Sequence, residues 1–312
     1  MYNIKNKKNE ELFISLMDAL KKTNLDWINL RKSRNYRVGM GINTIFYQIK
    51  KFDFKGLIKN INKWWLGLKK EKKYRNKVSM QNINVDSNYF NSERIAVYTC
   101  IFGNYDKILE PYFIPDNCDF YIFTDQNIDQ NSIWKKLDLP REILEMSNIE
   151  KNRYIKMFPN LFFESYKYSI YLDGNVQIIT DLTEYVNKIN PKVGIAIHKH
   201  HLRDCVFDEL VAVTLMNKKN KELALKYKTK LENDKMPKNY GLLQCNVIAR
   251  IHNNKTCKKI MTDWWKEFEK NIKRDQVSLP YVLFKNGISV DDVGTLGNNI
   301  YTNPSFRINT HK

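Results

Sequence analysis

The sequence lacks the usual signs of a secreted or membrane-spanning protein. Its 312 residues contain no apolar run of about 18 residues, the length that a membrane-spanning helix needs. No apolar stretch near the N-terminus is long enough for a secretory signal peptide, so we expect any membrane contact to be peripheral.

Cysteine is scarce and irregularly spaced. The five cysteines are an odd number, show no Cys-x-x-Cys spacing and lie mostly inside apolar runs. Such cysteines are typical of buried, reduced side chains in a cytosolic protein rather than of a disulfide framework. They are Cys100, Cys118, Cys205, Cys245 and Cys257.

Positive charge is abundant and concentrated in the first third of the chain. The formal net charge is +18; residues 1–92 hold 20 Lys and Arg against 7 Asp and Glu, whereas the other 220 residues hold 32 against 27. With 43% hydrophobic residues, the chain has the composition of a globular protein. We predict a basic helical N-terminal extension with a linker at 1–92, followed by an α/β domain at 93–312.

The predicted extension contains an amphipathic stretch. Residues 42–68 alternate bulky apolar residues with lysines, and the basic segment Lys69–Lys77 follows. Such a helix can lie on an anionic membrane surface, where each lysine contributes about 1 kcal/mol. Packing on the main domain is the alternative. No recognised nucleic-acid motif accompanies the charge, so we expect no nucleic-acid partner.

The rest of the chain alternates apolar strands with helices. A capping box at Ser147 and Glu150 opens a helix that carries Arg153 and Lys156, which are three positions apart and so share a face. This alternation predicts an α/β fold with a mixed, mostly parallel sheet flanked by helices. The predicted strands are 95–100, 118–124, 169–172, 192–197 and 243–250.

Polar residues follow several predicted strands, at the edge where α/β sheets bind ligands. The segment Asp173-Gly174-Asn175 could be a hairpin turn, but its carboxylate and amide could also share a hard divalent ion. A nucleotide diphosphate needs a base pocket, a metal and cationic groups. We assign the pocket to Asp125 and to Thr99–Tyr105, which includes Phe102, Gly103 and Tyr105; the metal, Mn²⁺ or Mg²⁺, to Asp173 and Asn175; and the cationic groups to Arg153 and Lys156.

Three histidines, His198, His200 and His201, raise the alternative of a zinc hydrolase. On a strand, the first two would share a face. The His-x-His-x-Asp-His order of metallo-hydrolases is absent, because no histidine directly follows Asp204. A phosphate or sugar contact, or a surface position, fits these histidines better.

Six motifs follow one another between residues 94 and 290. They are Thr99–Asp106, Phe123–Asp125, Asn152–Pro159, Ile170–Asn175, His200–Arg203 with Glu209, and Arg274–Gln276. Together they resemble a bacterial and plant glycosyltransferase-like domain, long classed as of unknown function, which is similar to GT-A type nucleotide-sugar transferases. The resemblance implies a uridine diphosphate sugar and a divalent metal, and it adds His200, Arg203 and Gln276 to the expected binding residues. Asn175 replaces the commoner second Asp, and an amide binds a cation more weakly.

The sequence leaves the catalytic base open. An inverting transferase needs a carboxylate base, whereas a retaining one can act chiefly through positioning and leaving-group stabilisation. Of Asp208, Glu209 and Asp275 we select Glu209 or Asp275 as the base, and we count Asp173 among the catalytic residues. Asp275 could instead be the N-cap of a helix starting at Gln276, and Glu209 a solvated helix residue.

These features predict a metal-dependent glycosyltransferase, cytoplasmic and peripheral at the inner face of the cell membrane. It would transfer a sugar from a nucleotide-sugar to a growing surface glycan, such as capsule or lipopolysaccharide, or to a lipid-linked glycan. The alternatives are a non-catalytic membrane-associated assembly protein, which Asn175 favours, and a metal-dependent hydrolase.

Overall fold

The structure is a computed structural model of the chain, and it describes residues 93–216 and 221–311. For residues 215 and 216 it describes the backbone alone. The predicted extension at 1–92, with its amphipathic stretch and linker, lies outside the described residues and stays a prediction.

A seven-stranded sheet forms the centre of the described region. The strands are β1 (Ile95–Ile101), β2 (Cys118–Thr124), β3 (Lys135–Lys136), β4 (Tyr168–Asp173), β5 (Val176–Ile178), β6 (Ile195–Lys199), β7 (Leu243–Arg250), β8 (Gly294–Thr295) and β9 (Phe306–Ile308). The order in the large sheet is β3-β2-β1-β4-β7-β6-β8. All seven residues of β1 are buried, because it has a strand on either side and packing on both faces. The five predicted strands are therefore present.

Most neighbouring strands run parallel, and β7 is the exception. β1 is parallel to β2 and β4, and β6 to β8, whereas β7 is antiparallel to both β4 and β6. This confirms the mixed, mostly parallel sheet. Because β7 runs the other way, its middle lies beside the end of β4, where Leu172 pairs with Val247. A strand far along the chain thus supplies side chains next to Asp173.

The described helices flank this sheet. They are α1 (Arg141–Leu144), α2 (Asn148–Met157), α3 (Val206–Met216), α4 (Lys221–Asn233), α5 (Lys255–Lys270) and α6 (Asp275–Lys285). The predicted capping box opens α2: the Ser147 hydroxyl accepts from the Glu150 amide, and the Glu150 carboxylate accepts from the Ser147 amide. Pro159 begins a short 3₁₀ turn directly after the helix. The start of the helix agrees with the sequence prediction.

Apolar side chains pack on both faces of the sheet. Val97 and Tyr98 belong to different clusters, because successive strand residues point to opposite faces. The cluster of Tyr98 contains Trp264 of α5, which is completely buried. The Trp264 indole N–H donates to the carbonyl of Asp275 at 3.2 Å and to the Ser278 hydroxyl at 3.0 Å. The core thereby holds the start of α6 against the sheet.

A two-stranded ribbon brings the end of the chain to the same sheet edge. β5, which follows Asn175, is antiparallel to β9. Just after β9, the Asn309 amide donates to the Asn175 carbonyl at 2.9 Å. Residues 309–311 therefore lie near the Asp-Gly-Asn turn.

Two expectations drawn from absences can be compared with the structure. All five cysteines are buried and free, which confirms the prediction of unpaired core cysteines. Among residues 93–216 and 221–311, none of the helices combines the length and apolar character needed to cross a bilayer.

Candidate active site

Asp173 ends β4 and lies at the centre of a hydrogen-bond network. One carboxylate oxygen, Oδ1, accepts from the Tyr171 hydroxyl at 2.8 Å and from Lys156 Nζ at 3.2 Å. The other, Oδ2, accepts from Asn246 Nδ2 of β7 at 2.9 Å. The side chain is 23% exposed, so one part of the carboxylate faces solvent while three donors orient the rest.

The turn after Asp173 is shaped by close packing. A Cβ at Gly174 would lie 2.8 Å from the Ile101 side chain and 3.0 Å from an Asp106 carboxylate oxygen, so only glycine fits there. The next residue, Asn175, is buried, and its Nδ2 donates to the Asn309 carbonyl at 3.0 Å. Its Oδ1 is buried without a hydrogen-bond partner. A buried oxygen of this kind is a candidate ligand atom.

Lys156 links two carboxylates from inside the protein. Its side chain is completely buried, and Nζ lies 2.7 Å from Asp275 Oδ2 and 3.2 Å from Asp173 Oδ1. The ammonium also lies over the Tyr171 ring, 4.8 Å from its centroid. Arg153, one turn earlier on α2, forms an ion pair with Asp275 at 3.2 Å. The prediction that Arg153 and Lys156 share a helix face is confirmed.

Asp275 is the first residue of α6 and is buried. Burial raises the pKa of its carboxyl, but the charges of Arg153 and Lys156 outweigh that effect and hold the pKa well below its usual range. The Gln276 amide also donates to Asp275 Oδ1, at 3.1 Å. A carboxylate held in this way accepts a proton poorly, which argues against Asp275 as the catalytic base.

Arg250 holds the C-terminal end of α2 through the backbone carbonyl of Lys156. This arginine is completely buried, and Nη1 donates to the Lys156 carbonyl at 2.6 Å. Nη2 contacts the Tyr98 hydroxyl, which itself donates to the Lys156 carbonyl at 3.1 Å. The last carbonyls of a helix are unpaired within the helix and carry partial negative charge, so a cation stabilises them. The backbone of Lys156 is therefore held by Arg250 and Tyr98, which are not the partners that hold its ammonium.

A second buried carboxylate, Glu209 on α3, lies among its own cations. Arg203 Nε donates to Glu209 Oε2 at 2.6 Å, and Arg274 Nη2 lies 3.7 Å from Oε1. His200 Nε2 lies 3.9 Å from Oε2. Burial, together with the nearby Arg203 and His201, lowers the pKa of His200 to about 4, so this histidine is neutral near pH 7. Its Nδ1 accepts from the amides of Leu202 and Arg203.

The loop after β1 forms another part of the edge. Gly103 has a φ of +66°, and its amide donates to the Asp125 carboxylate at 2.8 Å, which joins the ends of β1 and β2. Phe102 is buried, whereas Tyr105 is 61% exposed with its ring centroid 4.8 Å from that of His311. An exposed aromatic ring next to a turn offers a stacking surface for a flat ligand.

Three placements differ from the sequence predictions. Thr99 lies inside β1 rather than after it, and it is buried because it pairs with Ile122 of β2 and Leu172 of β4. His198 lies within β6, completely buried, and its Nε2 contacts Asn303 Nδ2 at 2.8 Å. Asp275 is not an N-cap: Arg274 occupies that position.

Sequence reasoning missed several residues of the edge. Asn246 lies in the middle of an apolar strand, and the polar pair Gln244 and Asn246 was the available signal. Asn309 and His311 reach the site from the end of the chain, and His311 Nδ1 lies 2.8 Å from Asp106 Oδ1. No local pattern indicates these contacts.

The metal expectation can be tested against the available ligand atoms. Asp173 supplies one partly exposed carboxylate, and Asn175 Oδ1 supplies a buried oxygen without a hydrogen-bond partner. Both are hard oxygen ligands of the kind that Mg²⁺ and Mn²⁺ accept. Two protein ligands fit an ion whose remaining positions are filled by phosphate oxygens. Within the described ranges, no group of three or more His, Cys, Asp or Glu side chains is arranged to hold a metal.

One protein-family model matches this chain. The family model described as TOD1/MUCI70, glycosyltransferase-like domain, matches residues 49–294 and so begins before the first motif. No curated protein matches the chain.

Solved structures similar to the chain include three glycosyltransferases, each 12% identical to it. The apo bifunctional glycosyltransferase WbbM has a TM-score of 0.39 over 61% of this chain and 37% of its own. The galactosyltransferase LgtC, in complex with donor and acceptor sugar analogues, has 0.38 over 62% and 72%. Apo GlyE from Streptococcus pneumoniae TIGR4 has 0.39 over 65% and 45%. The chain thus spans less than half the length of WbbM and GlyE.

The family match covers most of the chain and includes every motif that carries the resemblance. The chain belongs to the TOD1/MUCI70 glycosyltransferase-like domain family.

Proposed function

We propose that this protein transfers a sugar from a uridine diphosphate sugar to a hydroxyl of a growing cell-surface glycan, such as capsule or lipopolysaccharide. The observation that carries the proposal is the cluster at the end of β4. Lys156 of α2 contacts Asp173 there, Arg153 pairs with Asp275, which also binds Lys156, and the Asn175 oxygen two residues after Asp173 has no hydrogen-bond partner. A diphosphate leaving group requires such a combination of ion ligands and positive charge.

The nucleoside would bind at the loop after β1. Gly103 and Asp125 hold that loop, and the exposed ring of Tyr105 supplies a stacking surface. The diphosphate would lie toward Arg203 and Arg274, whose side chains are 27% and 43% exposed and so can reach a ligand. His200, Gln276 and the α2 cations would border this region.

A divalent ion, Mn²⁺ or Mg²⁺, would be held by Asp173 and Asn175 together with the diphosphate. When bound, it supplies charge neutralisation for the departing nucleoside diphosphate. The protein's own part is to orient Asp173 through Tyr171, Lys156 and Asn246.

Neither candidate base is a free carboxylate. Asp275 contacts Arg153 and Lys156, and Glu209 contacts Arg203 and Arg274. We therefore assign both carboxylates to anchoring cations, and we assign rate enhancement chiefly to positioning and leaving-group stabilisation by positive charge.

The acceptor would be a glycan, free or lipid-linked, at the inner face of the cell membrane. The support is the excess of basic residues at 1–92 and the amphipathic pattern at 42–68. Flotation of the full chain with anionic vesicles, compared with neutral vesicles, tests this part. Equal recovery with both vesicle types would contradict it.

The sugar-transfer proposal is tested with the full chain and Mn²⁺. We expect uridine diphosphate with Mn²⁺ to raise the melting temperature, and one of a panel of uridine diphosphate sugars to be hydrolysed slowly. Asp173→Asn should reduce hydrolysis by about 100-fold, whereas Asp138→Asn, an exposed position after β3, should not. No thermal shift, or equal hydrolysis by both variants, would overturn the proposal.

The second candidate is a non-catalytic assembly protein that keeps the fold. Its support is that Asn175 stands in place of a carboxylate and that Asp275 and Glu209 are both paired with cations. Nucleotide binding without hydrolysis of any nucleotide-sugar would favour this candidate.

A further inference from the structure

The ammonium of Lys156 occupies the place where a cation at Asp173 would be expected. It lies 3.2 Å from Asp173 Oδ1 and 2.7 Å from Asp275 Oδ2, and its side chain is completely buried. The sequence motifs do not explain why a lysine ammonium should lie beside the carboxylate expected to bind a metal ion. The neighbouring Arg153 adds a second positive charge at Asp275.

The Asp173 carboxylate has few free acceptor positions left for a metal ion. An ionised carboxylate has about four acceptor positions, and three of them are taken by Tyr171, Lys156 and Asn246. The remaining position and Asn175 Oδ1 are what the protein can offer to an incoming ion. An ion bound there would lie close to the Lys156 ammonium, and like charges repel strongly where water is scarce.

Lys156 cannot easily move away. Its backbone carbonyl accepts from Arg250 at 2.6 Å and from Tyr98 at 3.1 Å, so the helix end is fixed. Its ammonium is held by two carboxylates and the Tyr171 ring in a buried environment. Moving a buried ammonium without a new partner is costly, so the charge stays beside Asp173.

We propose that Lys156 is the resident cation of the Asp173–Asn175 site and that it keeps the affinity of the free protein for divalent ions low. A divalent ion then binds together with the diphosphate, whose negative charge offsets the ammonium. This second part rests on the proposed function. The first part concerns the free protein and can be tested without any nucleotide.

The test measures Mn²⁺ binding to the full chain without nucleotide, by the electron paramagnetic resonance signal of free Mn²⁺. We expect Lys156→Met, which has a similar length and no charge, to bind Mn²⁺ at least about tenfold more tightly than the wild type. Lys151→Met removes a lysine of the same helix and should leave affinity unchanged. Adding Asp173→Asn to Lys156→Met should abolish the gain.

Unchanged affinity in folded Lys156→Met, or a gain that survives Asp173→Asn, would overturn the proposal. Asn175→Asp provides a test that leaves Lys156 in place. With the ammonium present, the added carboxylate should tighten Mn²⁺ binding by less than about tenfold, and a gain above about 100-fold would show that Lys156 does not limit the affinity. If the Mn²⁺ affinities change as expected but the protein transfers no sugar, the proposed function is contradicted and the role of Lys156 is not.

Discussion

Asp275 and Glu209 are both buried carboxylates with two cationic neighbours, yet they differ in their access to water. The cations of Asp275 come from one face of α2, and one of them, Lys156, is completely buried. Those of Glu209 are Arg203 and Arg274, which are partly exposed. Because Lys156 has no access to water, the Asp275 cluster depends on the carboxylates that hold this ammonium, whereas water can replace partners in the Glu209 cluster.

The two clusters meet at the start of α6. Arg274 contacts Glu209, and the next residue, Asp275, contacts the α2 cations. Only the Asp275 cluster shares a side chain with Asp173, through Lys156. We therefore interpret the Asp275 cluster as the rigid part of the site, which positions Asp173 through Lys156. The Glu209 cluster supports the loop that carries His200.

The largest effect is expected for Asp275→Asn. The substitution leaves the completely buried Lys156 with one carboxylate fewer and removes the charged partner of Arg153, whose side chain is 26% exposed. It should lower the free energy of unfolding by about 3–5 kcal/mol. Urea unfolding followed by circular dichroism measures this loss. Asp291→Asn, in an exposed pair with Lys199, is the control and should change stability by less than about 0.5 kcal/mol. A loss below about 1 kcal/mol for Asp275→Asn would mean that its buried charges are not interdependent.

A smaller loss is expected for Glu209→Gln. Arg203 loses its charged partner at 2.6 Å, but both arginines of this cluster are partly exposed and can bind water. The expected loss is about 1–3 kcal/mol by the same urea experiment. If Glu209→Gln were as destabilising as Asp275→Asn, exposure would not be what distinguishes the clusters.

The clusters should also differ in their response to pH. The pKa of His200 is lowered by burial to about 4 from an ordinary 6.5, so the unfolded chain takes up a proton first as the pH falls. Stability is therefore lost between about pH 6.5 and 4. The pKa of Asp275 is lowered from an ordinary 3.8, so Asp275 changes the stability only below about pH 3.8. This carboxylate therefore stays charged throughout the His200 window.

This pH response is tested with His200→Asn, whose side-chain oxygen can still accept from the loop amides. Between pH 7 and 5 the variant should lose about 1 kcal/mol less stability than the wild type. His198 and His252 are buried with a pKa of about 4 as well, so part of the wild-type loss should remain in the variant. Identical pH profiles would show that His200 does not contribute.

Local sequence patterns predicted the main elements and part of the site. Apolar runs located the five main strands, and the capping box with its i, i+3 basic residues located α2 and the shared face of Arg153 and Lys156. Asp173 at a strand end followed from the same local pattern. Such predictions succeed because helix and strand periodicity is a property of neighbouring residues.

The remaining contacts depend on tertiary packing. Asn246 reaches Asp173 because β7 is inserted antiparallel beside β4, 73 residues further along the chain. The pairing of Lys156 with Asp275 spans 119 residues. The burial of Thr99 inside β1 depends on the strands on either side, where Ile122 of β2 and Leu172 of β4 pair with it. Local sequence therefore indicates which residues are available, and the sheet order decides which of them meet.

The smallest stability effect is expected for Arg274→Ala. Its pairing with Glu209 is 3.7 Å long and the side chain is 43% exposed, so the loss should stay below about 1 kcal/mol. Under the proposed function, the same arginine can turn toward the diphosphate, and the dissociation constant of uridine diphosphate should rise about fivefold to tenfold. Calorimetric titration measures this change. Arg141→Ala, in an exposed pair with Glu145, is the control for lost positive charge. Unchanged nucleotide affinity in Arg274→Ala would assign the Glu209 cluster to structural support alone, because its most exposed cation would then have no ligand to bind.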